Sequence, residues 1–339
     1  MNALRLSYSF RTGFYYLCRM TVTTEVCIIG GGPIGIACAL ACKKAGLDYR
    51  VIEKGTLTNS LYHYPLNMRF FSTSEKLEID GIPFISNQAK PDRGEALEYY
   101  RRVVTSNQLQ INVYERVVSV VKENGLFTIT SNKHTYTAAN VIVATGFYDI
   151  PKLLGVTGEH LSKVSHYYRE AHPYVLQKTV IVGASNSAVD AALEIWRKGG
   201  EVTMVVRGAT IGERVKYWVK PDIENRIKEG SIRAYFNAEI SEITQDTVVV
   251  RTDDGEIKLE NDYVVALTGY RPNFKFLQEM GIELSEDKNI PNYNDKTMES
   301  NVKGLYLAGV ICGGTETHKW FIENSRIHAD IIVDHIRNQ

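Results

Sequence analysis

A glycine-rich turn between a strand and a helix constrains this chain more than any other feature. The apolar run that begins at Glu25 leads into Gly30-Gly-Gly-Pro-Ile-Gly35, an alanine-rich helix and a second strand that ends at Glu53. Gly30 permits the tight turn, Gly32 lets a pyrophosphate approach the backbone, and Gly35 lets the helix pack closely on the strand. The helix N-terminus attracts phosphate, and a carboxylate at Glu53 can accept hydrogen bonds from ribose hydroxyls. The pattern predicts a dinucleotide-binding unit.

The same pattern occurs a second time, at Gly183-Ala-Ser-Asn-Ser-Ala188. Arg207 follows Gly183 by the same interval that separates Lys54 from Gly30, so the position equivalent to Glu53 is occupied by Val206. An arginine beside that position can pair with a 2′-phosphate, which an acid would repel. The second unit is therefore predicted to bind NADPH through Gly183, Ala184, Ser185, Asn186, Ser187 and Arg207, with Lys216 of the following loop sharing the phosphate and Gly269 closing the site.

A third element repeats and closes each unit, as Val141-Ile-Val-Ala-Thr-Gly146 and as Val264-Val-Ala-Leu-Thr-Gly269. The first unit is longer because it carries the aromatic segment 56–92, which suits a larger cofactor with a flat ring. The predicted fold class is α/β, with two Rossmann-like domains of three ββα layers, the second inserted in the first. The predicted parts are a flexible tail (1–23), an outer domain (24–172 and 271–339) and an inner domain (173–270).

Charge and hydropathy exclude several classes of partner. The chain of 339 residues has 39 Lys plus Arg and 39 Asp plus Glu, which argues against a nucleic-acid binder that needs a basic excess. Its apolar runs are far shorter than the roughly 20 residues that a membrane helix needs. The first 19 residues lack the apolar core of a signal peptide, and Met20 is an alternative start. We therefore expect a cytoplasmic protein.

The cysteines also point to a reducing compartment. There are five of them, at positions 18, 27, 38, 42 and 312, and none forms a CxxC pair. Cys38 and Cys42 share a helix face and are interpreted as packing residues, because cysteines on consecutive turns rarely have disulfide geometry. Cys312, just after Gly309, is the one candidate for a thiol in the chemistry. No group of His, Cys, Asp and Glu has metal-ligand spacing, so no metal site is predicted.

Two nucleotide folds, one inserted in the other, resemble the flavoproteins with two dinucleotide-binding domains, from about residue 24 to 337. The size and order are similar to the thioredoxin reductase group. Several stretches resemble the bacillithiol disulfide reductase family, notably IIGGGPIG, VIEKG, LYHYPLNMRFFSTSEKLEI, ATGFY, KVSHYYREAHPY, VIVGASNSAVDAALE, LTGYRP and FIENSRIHAD. The resemblance implies FAD in the outer domain, NADPH in the inner one, and a homo-oligomer (dimer or tetramer).

The resemblance also implies which residues surround FAD. They lie in the first glycine turn, at the end of the second strand, in the tyrosine-rich segment and near the C-terminus. They are Gly30, Gly32, Pro33, Ile34, Gly35, Glu53, Lys54, Tyr62, Val117, Ala144, Thr145, Gly146, Gly309, Val310, Phe321 and Ile322. NADPH is expected to pass hydride to the flavin N5, and the reduced flavin to pass electrons to a low-molecular-weight disulfide such as bacillithiol disulfide.

The sequence departs at three places from patterns of the families that it resembles, although the bacillithiol family is similar to it in the valine at position 310. Thioredoxin reductases carry CxxC before the second glycine turn, where this chain has Ser165 to Pro173 without a cysteine. The usual Gly-Asp near the C-terminus is Gly309-Val310, and many bacillithiol reductases have a cysteine where this chain has Ile34. Three alternatives stay open: a flavin-containing monooxygenase, a ferredoxin–NADP reductase of the thioredoxin-reductase type, and a non-enzymatic sensor that binds FAD and NADPH.

Overall fold

Two large sheets, one mixed and one parallel, organise the protein, and the computed structural model describes residues 21–339. The strands are β1 (Thr21–Ile29), β2 (Tyr49–Ile52), β3 (Ile111–Asn112), β4 (Val117–Glu123), β5 (Leu126–Ser131), β6 (Thr135–Val143), β7 (Ile150–Pro151), β8 (Val164–Ser165), β9 (Lys178–Val182), β10 (Glu201–Val205), β11 (Arg233–Tyr235), β12 (Glu239–Ile243), β13 (Thr247–Thr252), β14 (Gly255–Glu260), β15 (Tyr263–Ala266), β16 (Tyr270–Arg271) and β17 (Leu305–Leu307). The α-helices are α1 (Pro33–Lys44), α2 (Asn59–His63), α3 (Ser74–Leu77), α4 (Arg93–Ser106), α5 (Asn186–Arg197), α6 (Lys220–Lys228), α7 (Phe274–Glu279), α8 (Ile322–Ser325) and α9 (His328–Arg337).

The first sheet has the order β3-β2-β1-β6-β5-β4, and β17 also pairs with β6. Strand β6 runs parallel to β1 and to β17, whereas β5 pairs with its first half in the antiparallel sense. The late strand β17, which begins at residue 305, thus returns to a sheet that begins with β1 at residue 21, as the discontinuous outer domain requires. Helix α1 follows β1 directly and is buried along most of its length, because it lies on this sheet.

The second sheet is parallel throughout, in the order β11-β10-β9-β15-β8. Alternate residues of β9 face different cores: Ile181 packs with α5, while Val180 and Val182 pack with the antiparallel sheet β12-β13-β14. Burial on both faces explains why these strands are continuous apolar runs. The helix, parallel-sheet and antiparallel-sheet layers confirm the predicted fold class.

The sheets place the first boundary between the units earlier than predicted. Strand β8 lies within 24–172 of the predicted outer domain, yet it pairs with β15 of the second sheet. Gly158 also lies against the backbone of Ile243, where any side chain would overlap the Ile243 carbonyl oxygen. The chain therefore crosses between units at β7 and β16, which pair with each other. The boundary predicted at residue 172 is wrong, because apolar periodicity does not reveal which sheet a two-residue strand joins.

The predicted tail is also too long at its C-terminal end. Thr21 to Thr23 belong to β1 and pair with Thr135 to Thr137 of β6. The predictions for residues 1–20 lie outside the described residues. Segment 56–92 contains the short helices α2 and α3 and ends at Asp92, whose side chain forms a capping box with Glu95 at the start of α4. The segment is anchored in the core by Leu61, Phe70 and Leu77.

Candidate functional site

The two glycine turns are built alike. Gly30 has φ +112° and Gly183 has φ +126°, conformations that favour glycine. A Cβ atom on Gly30 would lie 2.5 Å from the Ala144 carbonyl oxygen, and one on Gly183 would lie 2.7 Å from the Leu267 carbonyl oxygen. Ala144 and Leu267 belong to the third repeated element of their units. Each turn therefore passes so close to the end of the neighbouring strand that only glycine fits.

Both turns leave helix N-terminal N–H groups available to a phosphate. Helix α1 follows Gly32 and helix α5 follows Ser185, and neither helix has a side-chain cap. A Cβ atom on Gly32 would meet no other atom within 4 Å, so the backbone faces open space. A side chain on Gly35 would instead overlap the Gly30 carbonyl oxygen. The glycines thus fit the roles predicted for a pyrophosphate site, and Ala188 takes the close-packing position in the second turn.

A cavity of about 1930 Å³ joins the two turns. It contains most of the residues predicted to bind the two cofactors. On the first unit these are Gly32, Pro33, Ile34, Glu53, Lys54, Ala144, Thr145, Gly146, Gly309, Val310, Phe321 and Ile322, and on the second unit Gly183, Ala184, Ser185, Asn186, Ser187, Arg207, Lys216 and Gly269. Gly30 and Gly35 lie behind this lining, where they shape the turn rather than face the cavity.

Glu53 holds the first glycine turn in place. One carboxylate oxygen accepts the Gly31 N–H at 2.7 Å and the other accepts the Gly55 N–H at 2.8 Å. Glu53 is 6% exposed. Burial raises the pKa of its carboxyl group, although the hydrogen bonds from the two N–H groups and the charge of Lys54 act to lower it. Each oxygen keeps a second lone pair, so the group can still accept a ribose hydroxyl.

Three of the predicted FAD residues make contacts with other parts of the protein that the sequence did not predict. Lys54 forms an ion pair with Asp149 at the cavity wall. Tyr62 lies outside the lining, 42% exposed, with its ring 5.5 Å from the Arg93 guanidinium carbon. Val117 begins β4 and packs at the edge of the first core, also outside the lining. Tyr62 and Val117 therefore lie outside the lining of this cavity, and their contact with FAD stays a prediction.

Arg207 and Lys216, both predicted at the NADPH phosphate, differ in availability. Arg207 is exposed at the end of β10 and forms no ion pair with another residue between 21 and 339. Lys216 is 9% exposed, and its ammonium lies 2.8 Å from an Asp190 carboxylate oxygen and 3.4 Å from the Arg69 carbonyl oxygen. Arg207 can therefore meet an incoming phosphate, whereas Lys216 is occupied by a partner.

Gly309, near the C-terminus, is in contact with Ile34 of helix α1. A Cβ atom on Gly309 would lie 3.3 Å from Cγ1 of Ile34, and Gly309 has φ +84°. The Gly309 N–H donates to Nδ1 of His328 at 3.1 Å, so the proton of the neutral imidazole is on Nε2. Burial lowers the pKa of His328 to about 4. His328 is therefore neutral and fixes the turn that carries Val310 into the cavity.

Cys312 does not reach the cavity. Its side chain is fully buried in the first core, and burial raises the pKa of its thiol, which opposes formation of a thiolate. The other cysteines of the described residues (27, 38 and 42) are also free and buried. The sequence candidate for a reacting thiol is thus a packing residue.

Sequence reasoning missed several aromatic residues of the cavity wall. Tyr64, Phe71, Trp218 and Trp320 all line it. Tyr64, an extended residue directly after α2, lines the cavity, whereas Tyr62 of α2 does not. The positions of Tyr64 and Trp218 could not be read from the sequence, since they depend on how distant segments of the chain pack together.

The fold and the cavity define a flavin- and pyridine-nucleotide-dependent reductase with two dinucleotide folds. Residues 27–309 match the family model described as pyridine nucleotide-disulphide oxidoreductase. Bacilliredoxin reductase Bdr of Bacillus subtilis (strain 168) is 44% identical over 317 residues, which are 93% of this chain and 98% of that protein. The chain belongs to the pyridine nucleotide-disulphide oxidoreductases and, within them, to the bacillithiol disulfide reductase family.

Solved structures agree with this assignment. Bacillithiol disulfide reductase from Bacillus cereus superposes with a TM-score of 0.92 at 41% identity, covering 93% of this chain and 99% of that one. The enzyme from Staphylococcus aureus gives 0.91 at 41% identity, covering 94% and 99%. T. acidophilum thioredoxin reductase, at 21% identity and a TM-score of 0.73 over 93% and 98% of the two chains, shares the fold.

The protein is an NAD(P)-dependent flavin disulfide oxidoreductase whose cofactors are FAD and NADPH. Among the described residues, no group of three or more His, Cys, Asp or Glu side chains could hold a metal ion. None of the helices in residues 21–339 is both long and apolar enough to cross a membrane.

Proposed function

We propose that this protein reduces bacillithiol disulfide, or a closely similar low-molecular-weight disulfide, with NADPH. The balance is NADPH + H⁺ + RSSR → NADP⁺ + 2 RSH, with the proton taken from solvent. The two 41% identical solved structures are described as bacillithiol disulfide reductases, and this likeness supports the substrate class. Bound FAD and NADPH supply the hydride and electron transfer, while the protein positions them and shields the site.

The residues of the cavity take distinct roles in this proposal. The N-terminus of α1 binds the FAD pyrophosphate, Glu53 orients the adenosine ribose, and the N-terminus of α5 binds the NADPH pyrophosphate. Arg207 pairs with the 2′-phosphate of NADPH. Val310 and Ile322 form part of the cavity wall on the FAD side. Lys54, joined to Asp149, closes the edge of the FAD site.

One observation carries the mechanistic part of the proposal: no cysteine between residues 21 and 339 reaches the cavity wall. Ile34 occupies the position where many relatives have a cysteine, and Cys312 is enclosed in the core. The substrate disulfide is therefore reduced without a mixed disulfide to any of these cysteines.

The experiment is a panel of acceptors offered to the purified yellow holoenzyme under NADPH. Bacillithiol disulfide, thioredoxin, ferredoxin and oxygen are compared by NADPH consumption. We expect bacillithiol disulfide to give the highest kcat/KM, with two thiols formed per NADPH. Faster turnover of ferredoxin would instead indicate a ferredoxin–NADP reductase. Peroxide formation that is independent of any disulfide would indicate a flavin-containing monooxygenase.

The same proposal includes a cytoplasmic location and a homo-oligomeric state. The free cysteines in the described residues suit a reducing compartment. Light scattering of the holoenzyme as it elutes from a size-exclusion column measures its molar mass. A mass of two or four chains supports the oligomer, and a mass near 38.2 kDa refutes it.

A further inference from the structure

An aromatic pair at the edge of the cavity spans the two units. The ring centroids of Phe71 and Trp218 lie 5.5 Å apart with an interplanar angle of 33°. Phe71 comes from segment 56–92 and Trp218 from the loop before α6, and both line the cavity. They are 56% and 40% exposed. The pair is thus an apolar platform open to an incoming molecule.

The ammonium group of Lys90 is fixed over this platform. Its Nζ atom lies 4.0 Å from the centroid of the Trp218 ring and 4.7 Å from that of Phe71, and it donates to the Phe71 carbonyl oxygen. Cation–π contacts and this hydrogen bond hold the charge in place without neutralising it. In the part of the chain that the structure describes, Lys90 has no carboxylate partner.

Other cations lie in this part of the molecule. Arg69, two residues before Phe71, is exposed on the cavity wall and forms no ion pair with a described residue. Burial, together with the charges of Lys216 and Lys76, lowers the pKa of Lys90, while Glu323 opposes this. The charge of Lys216 is offset by Asp190. The edge of the cavity therefore keeps unmatched positive charge beside an apolar surface.

We propose that Arg69 and Lys90, set beside the Phe71–Trp218 platform, form the site that recognises the carboxylate groups of an acidic low-molecular-weight disulfide. This inference rests on the proposed function and specifies its substrate by charge. Guanidinium and ammonium groups bind the carboxylates, and the aromatic platform packs against the uncharged part of the molecule. Neither basic residue belongs to the predicted cofactor sites, so substrate recognition can be altered separately from cofactor binding.

The test compares bacillithiol disulfide with its carboxyl-methylated form. For the double variant Arg69→Gln/Lys90→Gln, we expect KM for the acidic disulfide to rise about tenfold, the equivalent of about 1.4 kcal/mol, with kcat changed less than about twofold. KM for the methylated form should stay constant. Lys90→Arg should retain most of the affinity, and Lys258→Gln, an exposed position on β14, serves as the matched control.

The preference for the acidic disulfide should also weaken as salt is raised, because the charges at the cavity edge are screened. An equal loss for both forms of the disulfide, or no loss for the acidic one, overturns the proposal. So does an effect confined to a protein disulfide, which would make the patch a protein-docking surface.

Calorimetric binding of the acidic disulfide to the oxidised holoenzyme, without NADPH, separates this inference from the proposed function. If wild type turns over no disulfide, the proposed function fails. Recognition is then decided by binding alone: salt-sensitive binding that the double variant loses supports the site, and its absence refutes it.

Discussion

The Nζ atom of Lys216 lies 2.8 Å from an Asp190 carboxylate oxygen, inside the cavity that should receive NADPH. The sequence suggested that Lys216 shares the 2′-phosphate with Arg207. The ion pair instead ties the loop before α6 to helix α5, and the same ammonium also contacts the Arg69 carbonyl oxygen of the first unit. Lys216 therefore already has a carboxylate partner, whereas Arg207 forms no ion pair with a described residue, and the contact of either with NADPH stays a prediction.

Cofactor preference should follow Arg207 and not Lys216. We expect Arg207→Ala to weaken the binding of NADPH by about 1–3 kcal/mol. The binding of NADH should remain almost unchanged, because only NADPH carries the 2′-phosphate. Lys216→Gln should lower the free energy of unfolding by about 1 kcal/mol without changing the ratio of the two KM values. Initial-rate kinetics and urea unfolding measure both effects. If Arg207→Ala lost equal affinity for NADPH and for NADH, Arg207 would not bind the 2′-phosphate.

Replacement of Cys312 should leave catalysis intact. We expect Cys312→Ala to retain NADPH-dependent disulfide turnover within about twofold, because the thiol is enclosed in the core. Cys312→Ser should unfold more easily by about 1–3 kcal/mol, since it buries a hydroxyl among apolar side chains. Turnover and urea unfolding are measured on the same preparations. Normal reduction of the flavin by NADPH, combined with lost disulfide turnover in Cys312→Ala, would restore a thiol mechanism.

His328 should make the fold sensitive to mild acid. Its pKa of about 4 in the folded protein lies below the ordinary value of 6.5, so between these values the unfolded state binds more protons. The stabilisation is present above pH 6.5 and is lost as the pH falls toward 4, by at most about 1.4 kcal/mol per pH unit.

The comparison is between wild type and His328→Gln, whose amide oxygen can accept the Gly309 N–H. Free energies of unfolding are measured in urea from pH 7 to pH 5. We expect a steeper decline for wild type, and parallel curves would contradict the buried neutral imidazole. NMR of the His328 ring should show no protonation above about pH 5.

Glu115 is the centre of a buried polar network in the outer domain. Its carboxylate accepts hydrogen bonds from Ser131 Oγ at 2.5 Å and Tyr136 OH at 2.7 Å, and His134 Nδ1 lies at 3.1 Å. Burial alone would raise the pKa of Glu115, but these hydrogen bonds outweigh it and the pKa lies below its ordinary value. The stabilisation is therefore present above the ordinary carboxyl pKa and is lost as the pH falls below it.

We expect Glu115→Gln to reduce the free energy of unfolding by about 1–3 kcal/mol at neutral pH. The difference from wild type should shrink in acid. Glu123→Gln, at an exposed position of β4, is the matched control and should change stability by less than about 0.5 kcal/mol. A Glu115 variant as stable as this control would mean that the network contributes no net stability.

The features that the sequence predicted are those encoded within one short stretch. The strand, glycine turn and helix around Gly30 and Gly183 lie within about thirty residues each, and the positive φ angles of these two residues favour glycine. The register of the two copies was sufficient to identify Arg207 at the strand end. The insertion of one unit in the other followed from the order of the repeated elements, and β17 confirms it by returning to the first sheet.

What the sequence did not predict depends on residues far apart in the chain. Strand β8 joins the second sheet, Tyr64 rather than Tyr62 faces the cavity, and Cys312 is enclosed by side chains of the outer core. Their neighbours are set by packing over the whole molecule.

The amino-acid sequence by itself thus determined two nucleotide-binding units, their nesting and the cation at the end of β10. Only the tertiary structure decided which charges are available and which are paired, as for Arg207 and Lys216. The reason is physical: backbone conformation at a glycine turn is a local property, whereas burial and ion pairing depend on which distant groups the fold brings within a few ångströms.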